Sequence, residues 1–212
     1  MCSSDLDLES QLDGAAGQYR VELVISERRA TSPMSSRMTI ETMDALAATY
    51  GEHVAPLVFG TLNESWNPYA LIVGADAHFV ERIPLIEGRR LAPGAAGVML
   101  GDIAAQRLGL GPGGRIALAG RSFEVRGVFR TGSRLFDSAV LAELATAQQL
   151  LGREGSPAPY TLAALHIADG RPADAVAAEI RQRHPQLKAV VGSEMSGSLR
   201  LVRIVRALVG AI

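Results

Sequence analysis

Between residues 98 and 167 the sequence alternates short apolar runs with glycine-containing turns, and no run is long enough for more than a few helical turns. Runs such as VMLG, RIALAG and SFEVRGVF are typical of strands, whereas IAAQRLGL and AQQLLG have helical spacing. Short helices among many strands do not follow the regular strand–helix repeat of a doubly wound sheet. The pattern therefore predicts an α+β domain with small mixed sheets and short helices.

Turn and cap residues predict the boundaries within this block. Residues 98–100 are predicted as a strand, followed by a helix that begins at Gly101-Asp102 and is ended by Gly109 or Gly111. A hairpin is predicted over 115–119 and 122–129, with its turn at Gly120-Arg121. Further predicted elements are a strand over 138–141, a helix from Thr146 to Gly152, and a strand over 160–167.

The flanking regions add elements of both kinds. Alternation over 19–26 predicts a strand, and Thr39 is predicted to cap a helix that begins at Ile40. The apolar face of this helix comprises Ile40, Met43, Leu46 and Ala47. Two extended segments follow over 54–62 and 66–73, the second ending at Gly74. The layout closes with a helix whose first position is Pro172, and with a strand over 187–191.

Composition and charge exclude several classes of protein. With 21 basic and 22 acidic side chains, the net charge of −1 provides no attraction for nucleic acid. Aromatic residues make up only 5% of the chain, which disfavours stacking on single-stranded nucleic acid. The single cysteine, Cys2, excludes an internal disulfide framework and a cysteine-rich zinc site. We therefore expect no nucleic-acid partner.

Residues suited to catalysis are present but form no recognisable motif. The glycine-rich segment 109–114 follows a helix, precedes a strand and lacks the Lys-Ser or Lys-Thr of a phosphate-binding loop, so we interpret it as a helix cap and hairpin entry. The carboxylates are isolated, and the serines lack the elbow motif of hydrolases. The four histidines (His53, His78, His166 and His184) lie far apart without metal-binding spacing. We expect no catalytic residues, no metal site and no cofactor.

The two ends of the chain differ from the patterned middle. Residues 2–6, CSSDL, resemble the translated end of a common sequencing adapter, so Cys2 is given no role and residues 1–18 are interpreted as a tail. The domain is predicted over 19–195. Residues 196–212 have helical spacing and become wholly apolar after the arginines Arg200, Arg203 and Arg206. This segment fits either a packed terminal helix or the start of a membrane span, and periodicity does not separate the two.

Four segments within 74–170 carry a family resemblance: GADAHFVERIPLIEGRRL, GVMLGDIAAQRLGL, GGRIALAGRSFEVRGVF and DSAVLAELATAQQLLGREG. In order and spacing they are similar to the extracytoplasmic domain of ABC-transporter permeases of the MacB, FtsX and LolC type. One departure is Gly113-Gly114, where the family usually has Gly-Asp. The matching positions are turns, caps and core residues, and they indicate a scaffold rather than an active site. They are Gly88, Gly101, Leu108, Gly109, Gly114, Gly120, Phe123, Val125, Gly127, Gln148, Leu151 and Gly152.

The resemblance implies a domain that transmits movement and performs no catalysis. Such permeases carry this domain between the first and second of four transmembrane helices, so residues 196–212 are interpreted as a juxtamembrane helix and the start of a truncated span. The implied partners are a cytoplasmic ABC ATPase, a second permease subunit and the membrane. The implied location is the bacterial inner (plasma) membrane, with the domain facing the periplasm or the cell exterior.

The implied mechanism couples ATP-driven movement of membrane helices to the export or extraction of a drug, a peptide or a lipoprotein. Arg200, Arg203 and Arg206 are the candidate juxtamembrane coupling residues, since long basic side chains can extend to the headgroups.

Two other classes of function stay open at the level of sequence. A soluble α+β interaction domain without a transport role would end in an ordinary packed helix, and the coding sequence upstream would contain no membrane span. A hydrolase of unrecognised type would require acidic or histidine side chains to cluster in one concave pocket.

Overall fold

The computed structural model describes residues 22–191 of the 212-residue chain, except for positions 32 and 95. The strands in this part are β1 Leu23–Glu27, β2 Val54–Glu64, β3 Asn67–Ala75, β4 Leu85–Gly88, β5 Val98–Gly101, β6 Arg115–Leu118, β7 Arg121–Phe129, β8 Val140–Glu143, β9 Leu162–Leu165 and β10 Leu187–Val191. The α-helices are α1 Ile40–Tyr50, α2 Ala77–Arg82, α3 Asp102–Leu108, α4 Leu144–Leu150 and α5 Ala173–Arg183. Short 3-10 turns occupy Pro33–Ser35, Gly51–His53 and Phe136–Ser138.

The strands that we expected in small sheets are hydrogen-bonded along one path, and the predicted α+β class is confirmed. The order is β10-β1-β9-β2-β3-β8-β5-β7-β4, with β6 paired to β7 beside this path. The pairs β3–β8 and β5–β7 are parallel, and the other pairs are antiparallel. This mixed pairing, with helices connecting only some strands, differs from a doubly wound sheet.

Three hydrophobic clusters lie on the two faces of the sheet. Since side chains alternate along a strand, Val24 faces one side while Leu23 and Ile25 face the other. The cluster that contains Val24 and Phe59 packs beneath α2. On the opposite face, α1 and α5 cover the β10-β1-β9 end, and α3 and α4 cover strands β3, β8, β5 and β7. The helices therefore protect the sheet at both of its ends.

The cap of α1 is confirmed, but its predicted apolar face is partly wrong. The Thr39 hydroxyl accepts a hydrogen bond from the Thr42 backbone N–H at 3.2 Å, and the helix begins at Ile40. Met43 and Leu46 are buried, whereas Ile40 is 45% exposed and Ala47 is exposed. Only the side of α1 that carries Met43 and Leu46 packs against the sheet. Helical spacing therefore predicted a wider buried face than the helix has.

The β6–β7 hairpin is confirmed, and its turn lies one residue earlier than predicted. Leu118 pairs with Arg121, which leaves Ala119 and Gly120 as the turn residues. Their φ angles are 48° and 74°, and a two-residue type I′ turn requires positive values at both positions. The glycine therefore occupies the second position of the turn, and Arg121 already belongs to β7.

Several boundaries differ from the prediction because short elements carry little periodicity. Helix α2 was not predicted; Asp76 caps it by accepting a hydrogen bond from the Phe79 backbone N–H at 2.9 Å. Helix α4 directly follows β8, so it begins before the predicted Thr146. Pro172 lies at the N-cap of α5 instead of its first helical position. Other shifts include the later start of β8, the shorter β9, the end of β2 at Glu64 instead of residue 62 and the end of β3 one residue beyond Gly74, and β4 was not predicted.

Arg153, which follows α4, is a buried cation that joins β2 to the start of β9. It is 8% exposed, and its guanidinium donates to the Thr161 hydroxyl at 2.6 Å and to the Phe59 carbonyl at 3.1 Å. Thr161 in turn accepts from the Phe59 backbone N–H at 3.0 Å. Burial lowers the pKa of Arg153 from its ordinary value, and nearby Arg37 adds to the effect. No sequence pattern indicated this contact.

Gly101 marks the closest approach between the end of β5 and the 3-10 turn at Phe136–Ser138. A Cβ at this position would overlap the backbone carbonyl of Asp137, and the Gly101 N–H donates to the Ala139 carbonyl at 3.0 Å. Since the obstructing atoms belong to backbone, a side-chain rotation cannot make room. A glycine is therefore required here by packing.

We expect Gly101→Ala to reduce the free energy of unfolding by about 1–3 kcal/mol, because the added methyl overpacks a backbone contact. Gly111→Ala is the matched control, since a Cβ at that position would meet no atom within 4 Å. Urea-induced unfolding followed by circular dichroism measures both. Equal stability of the two variants would contradict the packing explanation.

Candidate functional site

The two segments that flank the described chain leave the sheet at the same end. Strand β1 pairs with β10 in an antiparallel register in which Leu23 lies opposite Val191. Leu23 also lies opposite Leu165 of β9, and Leu165 lies opposite Val54 of β2. We call this end of the sheet, defined by Leu23, Val54, Leu165 and Val191, the exit end. The described chain therefore begins and ends at the same end of one sheet.

Glu22 fastens the beginning of β1 to the residues that follow β9. One of its carboxylate oxygens accepts the backbone N–H of Ile167 at 2.9 Å and lies 3.0 Å from His166 Nδ1. The His166 backbone N–H donates to the His53 carbonyl at 2.9 Å, and the two imidazole rings meet edge to face with centroids 6.0 Å apart. Contacts from three chain segments therefore stabilise the exit end.

A cleft of about 420 Å³ opens beside His53 and His166, and we call it the exit cleft. Its walls are helix α2, the loop 131–136, the start of β2 and the end of β9. Apolar atoms form most of its surface, and its apolar lining residues are Ala55, Phe79, Ile83, Pro84, Phe136, Ala164 and Leu165. Its polar lining consists of Glu52, His53, His78, Arg82, Thr131, Ser133 and His166.

A buried carboxylate holds the loop wall of this cleft in place. Asp137 is 4% exposed and accepts hydrogen bonds from the Thr131 N–H at 2.6 Å, the Thr131 hydroxyl at 2.9 Å and the Gly132 N–H at 3.1 Å. Arg130, which precedes Thr131, places its guanidinium Nε 2.6 Å from a carboxylate oxygen of Asp102 at the start of α3. These bonds fix the position of the loop 131–136.

A smaller cleft of about 260 Å³ lies beside the exit end, next to helices α1 and α5, and it shares His53, Leu165 and His166 with the first. Tyr50 lines it, and burial raises the pKa of its phenol, with a further contribution from the negative charge of Glu179. Arg171, also in the lining, lies 2.6 Å from Asp169 and 2.7 Å from Glu179. The two imidazoles therefore separate two cavities.

The convergence of three histidines was not predicted. His53, His78 and His166 are far apart in sequence but line one cleft, whereas His184 lies at the end of α5. Residues 53 and 166 meet because β2 and β9 pair antiparallel, which no local pattern reveals. Among the described residues, no group of three or more His, Cys, Asp or Glu side chains is placed to hold a metal ion.

The family-motif residues lie in turns and in the core and are not gathered in one site. Gly88, Gly101 and Gly127 are positions of close backbone approach, and Gly109, Gly120 and Gly152 have positive φ angles in turns. Gly114 forms a turn in which its N–H donates to the Gly111 carbonyl. Phe123 and Val125 belong to the buried cluster beneath α3 and α4, and the partly buried Leu108 and Leu151 pack against it. Gln148 lines a separate cavity of about 380 Å³. Arg200, Arg203 and Arg206 lie outside the described residues.

Two of the solved structures that share this fold are domains of ABC transporters. The periplasmic region of MacB from Actinobacillus actinomycetemcomitans matches with a TM-score of 0.61 and 14% identity, over 90% of this chain and 98% of that one. The extracellular domain of the noncanonic ABC-type transporter YknZ from Gram-positive bacteria matches with a TM-score of 0.55 and 13% identity, over 79% of this chain and 98% of that one. No curated protein matches the sequence.

A match to a protein-family model identifies the class of protein. The model described as the MacB-like periplasmic core domain matches residues 7–183, which include every described element except β10. The chain is thus a periplasmic domain of the kind carried by ABC-transporter permeases. It belongs to the MacB-like periplasmic core domain family. The resemblance seen in the sequence over 74–170 is confirmed and extends further toward both ends.

The helices of the described part are short. Among the described residues of 22–191, no helix has the length and apolar character needed to cross a bilayer.

We expect Asp137→Ala to lower the free energy of unfolding by about 1–3 kcal/mol, because Thr131 and Gly132 lose their hydrogen bonds to a buried carboxylate. Asp174→Ala, which removes an exposed carboxylate from the first turn of α5, is the control. Thermal unfolding compares the variants, and hydrogen exchange at Thr131 and Gly132 reports on the loop. Unchanged exchange at both amides would contradict this role of Asp137.

Proposed function

We propose that this domain is a non-catalytic lever, which couples ATP-driven movement of permease helices to the export or extraction of a substrate outside the cytoplasm. In this proposal the partners are a cytoplasmic ABC ATPase, a second permease subunit and the bacterial inner (plasma) membrane, and the domain faces the periplasm or the cell exterior. Family membership supports the transporter setting. The exported or extracted substrate in this proposal is a drug, a peptide or a lipoprotein.

The observation that carries the proposal is the pairing of β1 with β10. Five consecutive residue pairs, from Leu23 opposite Val191 to Glu27 opposite Leu187, join the strands next to the two flanking segments. The Arg181 guanidinium donates to the Ala189 carbonyl at 3.3 Å, which ties α5 to β10. A displacement of either flank would move this strand pair as a unit, since stretching it breaks several hydrogen bonds together.

The absence of catalysis is part of this proposal. It is supported by the location of the family-motif residues, which occupy turns and core positions away from the exit cleft. Under this proposal the polar groups of the exit cleft bind or stabilise, and no bond of a substrate is cleaved there.

A hydrolase is the second candidate, because the exit cleft collects His53, His78 and His166 together with Glu52. Hydrolysis of p-nitrophenyl esters by the purified chain distinguishes the two. The lever proposal expects a rate equal to that of free imidazole and unaffected by replacing the cleft histidines with alanine. A faster rate that is lost on replacement of a single cleft histidine would favour the hydrolase.

A flexible insertion at the exit end tests the lever. In the intact permease reconstituted with its ATPase, we expect Gly-Gly-Ser inserted after Val191 to preserve ATP hydrolysis but abolish ATP-dependent movement of the domain. Movement is followed by energy transfer from a dye at Tyr69→Cys, in a Cys2→Ser background, to labelled lipids; Tyr69 is 77% exposed.

The matched control places the same insertion between the exposed residues Glu154 and Gly155, away from the exit end. The control should retain the ATP-dependent signal, because the β1–β10 connection is intact. If both insertions retained the signal, force transmission through the exit end would be excluded.

The three arginines of the juxtamembrane segment give a separate prediction. We expect the combined variant Arg200→Gln, Arg203→Gln and Arg206→Gln to reduce the ATP-dependent signal and substrate export, because the segment loses its contacts with the headgroups. Replacing the exposed Arg28, Arg29 and Arg107 by Gln removes the same charge from the domain and is the control. Normal export by the first variant would contradict a coupling role for these arginines.

A further inference from the structure

The exit cleft has the size and the surface of a small-molecule site. Its volume of about 420 Å³ lies within the range of ~300–1,000 Å³ that ligand pockets occupy. Ala164, Leu165 and Ile83 are buried side chains in its lining, and Phe79 and Phe136 are half-buried there. An apolar body placed against these side chains would displace water from apolar surface, which is favourable at ~25 cal/mol per Å².

The polar groups of the cleft are mainly hydrogen-bond donors. Arg82 is exposed at the end of α2, and no ion pair joins it to any residue of the described part. The imidazole of His78 and the hydroxyl of Ser133 can also donate toward a ligand, whereas the single hydroxyl hydrogen of Thr131 is used by Asp137. Glu52 is the one carboxylate among the described lining residues, and it lies more than 4.0 Å from the Arg82 guanidinium.

Two walls of the cleft are held in position by capping and turn contacts. Asp76 caps the helix that carries His78 and Arg82, and Asp137 anchors the loop that carries Thr131 and Ser133. Phe136 packs edge to face against Phe59 of the core, with ring centroids 5.6 Å apart. Because these walls are already ordered, binding of a ligand would cost the protein little conformational entropy.

We infer that the exit cleft binds a small amphipathic carboxylate, with its apolar body against Phe79, Ile83 and Phe136 and its head group held by Arg82. The unpaired guanidinium can form two parallel hydrogen bonds with a carboxylate, which a neutral or cationic head group cannot accept in the same way. This inference goes beyond the lever proposal and does not require transport. A bound ligand would also contact both β2 and β9 at the exit end.

The test uses the 212-residue chain and decanoate as the probe, at concentrations below its micelle formation. Isothermal titration calorimetry should give one binding site per chain for decanoate. Acetate supplies the head group alone, and decyltrimethylammonium supplies the same apolar chain with a positive charge. Both should bind much more weakly, because each lacks one of the two recognised features.

Two variants locate the site. Arg82→Gln should weaken decanoate binding about tenfold or more, which corresponds to the loss of a hydrogen bond to a charged group. Ser133→Trp should abolish binding, because an indole on the loop wall fills the cleft. Arg107→Gln, which removes an exposed arginine from α3 outside the cleft, is the matched control and should bind like the unmodified chain.

The outcomes separate cleanly. Absence of decanoate binding overturns the inference, and so does binding of equal strength by decyltrimethylammonium, because the head group would then not be recognised. Decanoate binding that survives both Arg82→Gln and Ser133→Trp would place the ligand elsewhere on the chain and also overturns it. Circular dichroism spectra equal to that of the unmodified chain confirm that the variants are folded, as expected for exposed positions.

Discussion

The antiparallel pairing of β1 with β10 is the constraint on which the rest of this structure depends. It joins the first and last described strands along five residue pairs, and β9 pairs with the other side of β1. This arrangement brings both flanking segments to one end of the sheet and creates the junction with β2, where Leu165 lies opposite Val54. The exit end and the cleft beside it exist because of this closure. A mechanical role for the domain needs such a closure, since otherwise each flank would move a separate part of the fold.

The family signature describes how the scaffold is packed. Gly101 is required because the backbone at Asp137 approaches too closely for a side chain, and Gly120 completes a turn that needs a positive φ. The Asp137 side chain accepts hydrogen bonds from the loop that follows β7. The residue that contacts Gly101 through its backbone thus also holds the loop wall of the exit cleft through its side chain. The turn positions of the family signature therefore contribute to the site indirectly, by fixing the loops around it. The residues that line the exit cleft are not among the positions of this signature.

The exit cleft connects recognition with the proposed movement. His166 contacts Glu22 beside the first flank, and His53 lies at the start of β2, so the groups that line the cleft also hold the exit end together. Occupation of the cleft would stabilise whichever arrangement of β2, β9 and the loop 131–136 binds the ligand better, and would shift the balance between arrangements accordingly. Ligand binding and lever movement would then be coupled through the same few strands.

Caps, turns and short strands were largely predictable, because their signals lie in adjacent residues: Thr39 caps α1, Gly109 ends α3, and β6 and β7 form the predicted hairpin. The sequence by itself thus determined the α+β class and the family scaffold. The strand order of the ten-stranded sheet, the burial of Arg153 and the convergence of His53, His78 and His166 on one cleft were decided only by the tertiary structure. These features join residues that are distant along the chain, and strand pairing at that separation leaves no local periodic signal.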